Sequence, residues 1–277
     1  MIFYLFKKLL WGSGLGIMLL GYGILVEPAQ LKIREVELVS DKYKGPDIRI
    51  GLVTDIHINS LGVPPSRVLK IVEALNSQKP DLVLIPGDFV AGHDRAEDRS
   101  EAFNKNVGTG ISYLSRLSAP RYATLGNHDA WWSSERVTKH LEAAGVQVLD
   151  NRAAIFRELC IVGLADSWTG YPNRSAYEEC ASTSGPPVVF THSPNAWRLF
   201  RSDSVLALAG HTHGGQVNLP LIGRRVNAIE LSKDYSYGFS KIGGVDMFVS
   251  AGVGTSRLPI RFRAPPEIVI LTLHGSP

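Results

Sequence analysis

A chain of 277 residues that is 44% hydrophobic and 20% charged has ample material for a large packed core, which excludes a disordered protein. The formal charge is +3, from 29 Lys and Arg against 26 Asp and Glu. Two of those positive charges, Lys7 and Lys8, lie at the extreme N-terminus, so the rest is nearly neutral and no nucleic-acid partner is expected.

Leu9 to Val26 is an uncharged run of 18 residues, preceded by Lys7 and Lys8 and followed by Glu27 and Pro28. That length suits a helix across a bilayer, and no small-residue cleavage site follows Val26. Residues 1–26 are therefore expected to be a retained single-pass anchor in the inner membrane. Lys32, Arg34, Lys42 and Lys44 follow the run and slightly outweigh the two lysines before it. The balance leans towards a cytoplasmic domain without deciding the face.

Residues 27–47 read as a linker running into a first strand, in which Ile33, Val36 and Leu38 alternate with charged residues. Residues 48–277 read as one domain built on a repeated theme. Short apolar runs end in polar residues at Asp55, Asp88, Asn127, His192 and His211. Between several of them lie helical patterns. Val68, Ile71, Val72 and Leu75 share one helix face, as do Phe103, Val107, Ile111 and Leu114. A third helix is expected from Ser133 or Ser134 to Gly145. Strands at Val245–Ser250 and Glu267–Leu273 follow. Buried strands alternating with amphipathic helices imply a layered α/β fold, with its site beyond the carboxyl ends of the strands. Cys160 and Cys180 fall outside any C-x-x-C pattern and are expected to be two buried free thiols.

Five clusters carry the chemistry: Asp55-Ile56-His57, Gly87-Asp88, Gly126-Asn127-His128-Asp129, Thr191-His192 and Gly210-His211-Thr212-His213. Each alone is commonly a turn or a cap. Together they hold five of the eight histidines, each cluster at the end of an apolar run. Mixed nitrogen and oxygen donors of this kind suit Mn, Fe or Zn.

The ordered set D-x-H, G-D, G-N-H-D, H and G-H-T-H resembles the calcineurin-like metallophosphoesterase family. Gly210-His211-Thr212-His213-Gly214-Gly215-Gln216 and the stretch from Gly254 to Ile268 resemble a membrane-anchored bacterial subgroup of it, which includes UDP-2,3-diacylglucosamine diphosphatases of lipid A synthesis. The resemblance implies a four-layer α/β/β/α sandwich and two divalent metal ions. One ion would be held by Asp55, His57, Asp88 and His213, the other by Asp88, Asn127, His192 and His211, with Asp88 bridging. It implies that His128 contacts the phosphate and acts as general acid, with Asp129 orienting its ring. A pair of ions can clamp both oxygens of an in-line displacement. Phe89 and Val90 follow Asp88 where phosphoprotein phosphatases have Arg and Gly, so a protein phosphatase is disfavoured. Asn59 stands where the first motif often has Gly.

The expected substrate is a phosphodiester or diphosphate, lipid-linked given the anchor, with UDP-2,3-diacylglucosamine as the candidate. The stretch 224–263 holds seven basic residues, among them Arg224, Arg257 and Arg261, against three acids, and suggests a face that meets anions. A general phosphodiesterase on another lipid or nucleotide is one alternative. A metal-binding scaffold without catalysis is another, and the intact His128–Asp129 pair argues against it.

Overall fold

Period-two alternation builds two sheets, each apolar on both faces. In the computed structural model, which describes residues 14, 16–180, 185–224, 231 and 233–276, the first sheet has six strands. Their spatial order is β1 (Lys32–Ser40), β14 (Glu267–Gly275), β2 (Ile48–Leu52), β3 (Leu82–Pro86), β4 (Arg121–Thr124) and β5 (Gln147–Val148). The second is ordered β12 (Gly238–Ile242), β13 (Val245–Val249), β9 (Leu206–Ala209), β8 (Pro187–Thr191), β7 (Leu159–Leu164) and β6 (Arg152–Phe156). A small hairpin pairs β10 (Asn218–Leu219) with β11 (Gly223–Arg224). Both large sheets are mixed. Strands β2 to β5 run parallel, as do β7, β8, β9 and β13, while β14 is antiparallel to β2.

The alternation can be followed along β14. Val269, Leu271 and Leu273 point into the core between the sheets, with Ile50, Leu84, Ile161, Phe190 and Leu208. Ile268 and Ile270 point the other way, into the core under the helices. That core is closed by α1 (Pro65–Ser77), α2 (Glu101–Ser112) and α3 (Asn127–Ala143), through Val68, Ile71, Val72 and Leu75 of α1, Val107 and Ile111 of α2, and Val137 and Leu141 of α3. The fourth layer departs from expectation. Among the described residues it is made of 3-10 turns, Arg174–Cys180 and Pro194–Leu199, rather than α-helices.

Two further expectations change. The third helix starts at Asn127, six residues before Ser133. Ser133 is an extended residue inside it, and its hydroxyl accepts the Arg136 amide at 3.3 Å, so it caps the second segment of a kinked helix. Cys160 and Cys180 form a disulfide, with Cα atoms 5.8 Å apart. Cys160 faces the outer side of the sheet, where the turn carrying Cys180 covers it, and two thiols so placed are within bonding reach. Within residues 27–47, Glu27 is buried and the first strand, β1, pairs along its length with β14.

Residues 1–13 and 15 of the expected anchor lie outside the described residues. Its described end is helical to Gly21, then forms a π turn at Tyr22–Val26 and a 3-10 turn at Glu27–Ala29. No helix among the described residues is long and apolar enough to cross a membrane. Ile17, Met18 and Leu25 are nonetheless about 70% exposed.

Candidate metal centre

The parallel strands end together, and their carboxyl ends deliver the five clusters to one place. Backbone conformation marks the spot. Asp55, His57, Asp88, His211 and His213 all have φ between 49° and 68°. Such left-handed residues cost about 1–3 kcal/mol each and persist where the surroundings over-determine them. Glycines make the convergence possible. A Cβ on Gly126 would strike the Asp88 carboxylate, and one on Gly210 would strike the Asp55 carboxylate. Asn59 also has a left-handed φ, 76°, which Asn tolerates, so the loop keeps the conformation Gly would give it.

Two groups of ligand atoms result. Asp55, His57, Asp88 and His213 form one, and Asp88, His192 and His211 the other, each with all ligand atoms within 4.8 Å of one another. Asp88 belongs to both. Its Oδ2 lies 3.4 Å from Nε2 of His57 and 3.2 Å from Nε2 of His192. Asn127 joins the second group through Oδ1, 3.1 Å from Nε2 of His192. Only His128 and Asp129 of the expected residues stand outside both groups.

The donor set fits cations. Nδ1 of His57 lies 3.2 Å from the Val90 carbonyl and Nδ1 of His192 lies 2.9 Å from the Pro86 carbonyl. Each donates its proton there, which turns an Nε2 lone pair inward. The inward atoms then meet: Nε2 of His57 is 3.2 Å from Nε2 of His213, and Nδ1 of His211 is 3.0 Å from Nε2 of His192. Imidazole nitrogens brought this close can share a cation between them. The titration pattern agrees. Burial and the nearby Asp88 push Asp55 up to about 7, with His192 opposing. Burial pulls His57 down to about 3. Burial would also raise Asp88, but the imidazoles of His192, His128 and His57 hold it well below the usual carboxylate range. His192 pairs with Asp88, which against the effect of burial raises it well above the usual histidine range.

His128 sits at the rim. Its backbone amide donates to Asp88 Oδ1 at 2.9 Å, and Nε2 lies 4.0 Å from Asp88 Oδ2. Nδ1 donates to the Gly92 carbonyl at 2.6 Å, so this carbonyl orients the ring. Asp129 does not. Its carboxylate accepts the amides of Asp88, Phe89, Val90 and Gly126 at 2.8–3.1 Å. Asp129 therefore holds the turn that carries Asp88, because its place one helical turn from Gly126 points it back at that turn. Burial and the neighbouring Asp88 push its pKa up to about 7, while the amides pull it down.

A cleft of about 360 Å³ lies over the centre. The sequence reading missed several of its walls: His93 and Trp131, stacked with ring centres 5.1 Å apart, Trp168 at 5.1 Å from His211, and Ser256, whose hydroxyl is 3.4 Å from His128 Nε2. No sequence spacing marks them as a set, since they lie up to 128 residues from the site residues they face. Arg257 also lines the cleft. Arg261 does not reach the surface at all, being fully buried, so the expected anion-facing set shrinks.

The sequence profile described as calcineurin-like phosphoesterase matches residues 48–215. The chain is 30% identical to "Phosphodiesterase YaeI" of Escherichia coli over 263 residues, covering 91% of this chain and 92% of that one. It is 28% identical to "Uncharacterized metallophosphoesterase YkuE" of Bacillus subtilis, covering 92% of this chain and 90% of that one. An "Uncharacterized metallophosphoesterase" of Aquifex aeolicus is 28% identical, covering 93% and 97%.

Proposed function

Since the chain belongs to the calcineurin-like phosphoesterases, we propose that this metal-dependent phosphoester hydrolase is a phosphodiesterase that uses two divalent ions, Mn, Fe or Zn, on a lipid or nucleotide ester. The observation that carries it is the position of Asp88 Oδ2 between the imidazoles of His57 and His192, at 3.4 and 3.2 Å. The similarity to a protein named phosphodiesterase supports the diester.

Asp55, His57, Asp88 and His213 would hold one ion, and Asp88, Asn127, His192 and His211 the other. When bound, such a pair activates water and neutralises charge on the phosphoryl group. The protein's own part is orientation. The Asp129 carboxylate fixes the Asp88 turn, and the carbonyls of Val90 and Pro86 fix which nitrogens face inward. His128, held by Gly92 and adjoining the cleft, donates a proton to the leaving oxygen from Nε2.

A membrane location is part of this reading. The apolar run from Leu9, with its exposed described end, supports it. The Cys160–Cys180 disulfide supports an oxidising compartment, hence a domain outside the cytoplasm. The flanking lysines and arginines lean the other way, but large domains cross regardless of nearby charge. UDP-2,3-diacylglucosamine is the second reading, favoured by the likeness of the Gly254–Ile268 stretch. It needs a cytoplasmic site, and the disulfide speaks against it.

The test is a side-by-side assay with Mn²⁺ of bis(p-nitrophenyl) phosphate, a phosphomonoester and the nucleotide-sugar lipid, with thiol titration of protein taken directly from cells. Turnover of the diester over the other two, with no free thiol, is the expected result. Selective turnover of the nucleotide-sugar lipid and two free thiols would establish the second reading instead.

A further inference from the structure

The end of the N-terminal apolar segment is bound into the wall of the cleft. Glu27, 3% exposed, accepts the amides of Arg263 and Ala264 at 2.9 and 2.6 Å. The Gly23 carbonyl accepts the Arg261 amide at 2.9 Å. Tyr22 packs edge-on against Phe262. A Cβ on Gly23 would lie 3.0 Å from Ile260 and 3.1 Å from the Arg261 carbonyl, so the approach is as close as Gly permits.

Arg261 carries this contact inward. Its guanidinium is fully buried and donates to the carbonyls of Ala251, Gly252, Gly254 and Ala264 at 2.8–3.2 Å. The same loop donates the amides of Val253 and Gly254 to the carbonyls of Thr54 and Asp55, at 3.1 and 2.6 Å. Between Gly254 and Arg261 it presents Ser256 and Arg257 to the cleft. Glu27 thus fixes one end of a loop whose other end is fastened to a candidate metal ligand and whose middle faces the substrate. A buried carboxylate on two backbone amides is a strong connection, since charge-assisted hydrogen bonds are roughly twice as strong as neutral ones.

We propose that Glu27 is a positioning residue for the active site: with Gly23 it clasps the loop from Gly254 to Ala264 onto the N-terminal segment, so that this segment sets the placement of Ser256 and Arg257 against a bound phosphoryl group. The segment is then part of the catalytic wall as well as a means of attachment. The proposal rests on the phosphoesterase reading for what the wall binds, and on the coordinates alone for the clasp.

The experiment uses the full chain loaded with Mn²⁺ and compares wild type, Glu27→Gln, Gly23→Ala and, as control, Glu37→Gln on the exposed face of β1. Three quantities are read: metal content, amide exchange at Arg263 and Ala264, and affinity for inorganic phosphate beside KM and kcat for bis(p-nitrophenyl) phosphate. Glu27→Gln keeps one acceptor oxygen and loses the charge. It should retain both metals and exchange about tenfold faster at these amides, the loss of one charge-assisted bond. Phosphate affinity and KM should weaken by about the same factor, with kcat changed much less. Should Glu27→Gln fail to fold, Gly23→Ala carries the same expectations. Wild-type phosphate affinity and KM in a variant whose amides exchange faster would overturn the proposal, as would unchanged exchange. Wild-type protein that binds phosphate but hydrolyses no ester would count against the enzyme reading, and the phosphate affinities would still decide the clasp.

Discussion

His57 and His213 face each other through their Nε2 atoms, 3.2 Å apart, with rings inclined at 27°. Nδ1 of His57 is committed to the Val90 carbonyl, so its inward nitrogen is an acceptor. A cation held between them would satisfy both rings at once. Chelation should therefore abolish activity and Mn²⁺ should restore it. Activity measured before and after treatment checks this, and a chelated protein as active as the untreated one would rule out the two-metal reading.

Asp88 serves both groups of ligands, whereas His57 serves one. Asp88→Ala is expected to lose both ions and His57→Ala chiefly one. Elemental analysis of the purified variants gives the ratio. Activity should follow metal content in both, with the larger loss in Asp88→Ala.

Nδ1 of His128 donates to Gly92, so only the imidazolium can donate from Nε2. Burial lowers its pKa from the usual value near 6.5, with Asp88 and the Gly92 carbonyl opposing. The acid form is the one lost as pH rises. For an alkoxide leaving group, kcat/KM should thus fall as pH rises through this depressed value. For a nitrophenolate, which leaves without a proton, the fall should be small. His128→Ala should keep its metal and lose about 10²–10⁴-fold with the alkoxide and much less with the nitrophenolate. An equal defect across leaving groups would mean that His128 stabilises phosphoryl charge and transfers no proton.

Asp129→Asn separates the two residues of one motif. The amide cannot accept all four backbone hydrogen bonds that the carboxylate does. Thermal unfolding should show a loss of at least about 2 kcal/mol, since bonds to charged groups are worth about 1.5–3 kcal/mol each. Metal affinity should weaken with the Asp88 turn, and the kinetic defect should be the same for good and poor leaving groups. A defect that tracked the leaving group would return Asp129 to the role of orienting His128.

The disulfide closes a separation of 20 residues, for which chain entropy gives about 3 kcal/mol. Cys160→Ala with Cys180→Ala should lose about that much stability while keeping kcat, because Cys160 lies near the start of β7 and the metal ligands follow the strands' carboxyl ends. Reductant should lower the melting temperature of the wild type and leave that of the double variant unchanged.

The sequence by itself placed the candidate clusters in order at the ends of apolar runs, and the resemblance to a family proposed which of their residues hold metal. The helical period of Val68 to Leu75 and the unbroken apolar run of Ile268 to Leu271 likewise placed a helix and a strand, since burial of one face imprints a spacing and burial of both faces imprints a run. Tertiary structure alone decided the partners. Asp129 adjoins His128 in the chain yet serves the amides around Asp88, because a helix start points consecutive side chains in different directions. Arg261 stands in a basic stretch yet is wholly buried, because the carbonyls of Ala251, Gly252, Gly254 and Ala264 accept its guanidinium. Cys160 and Cys180 are paired because a covering turn lies over the outer face of β7. Glu27, in what reads as linker, reaches amides 236 residues away. Contacts of that range depend on how the two sheets and their loops are laid against one another, which no local spacing encodes.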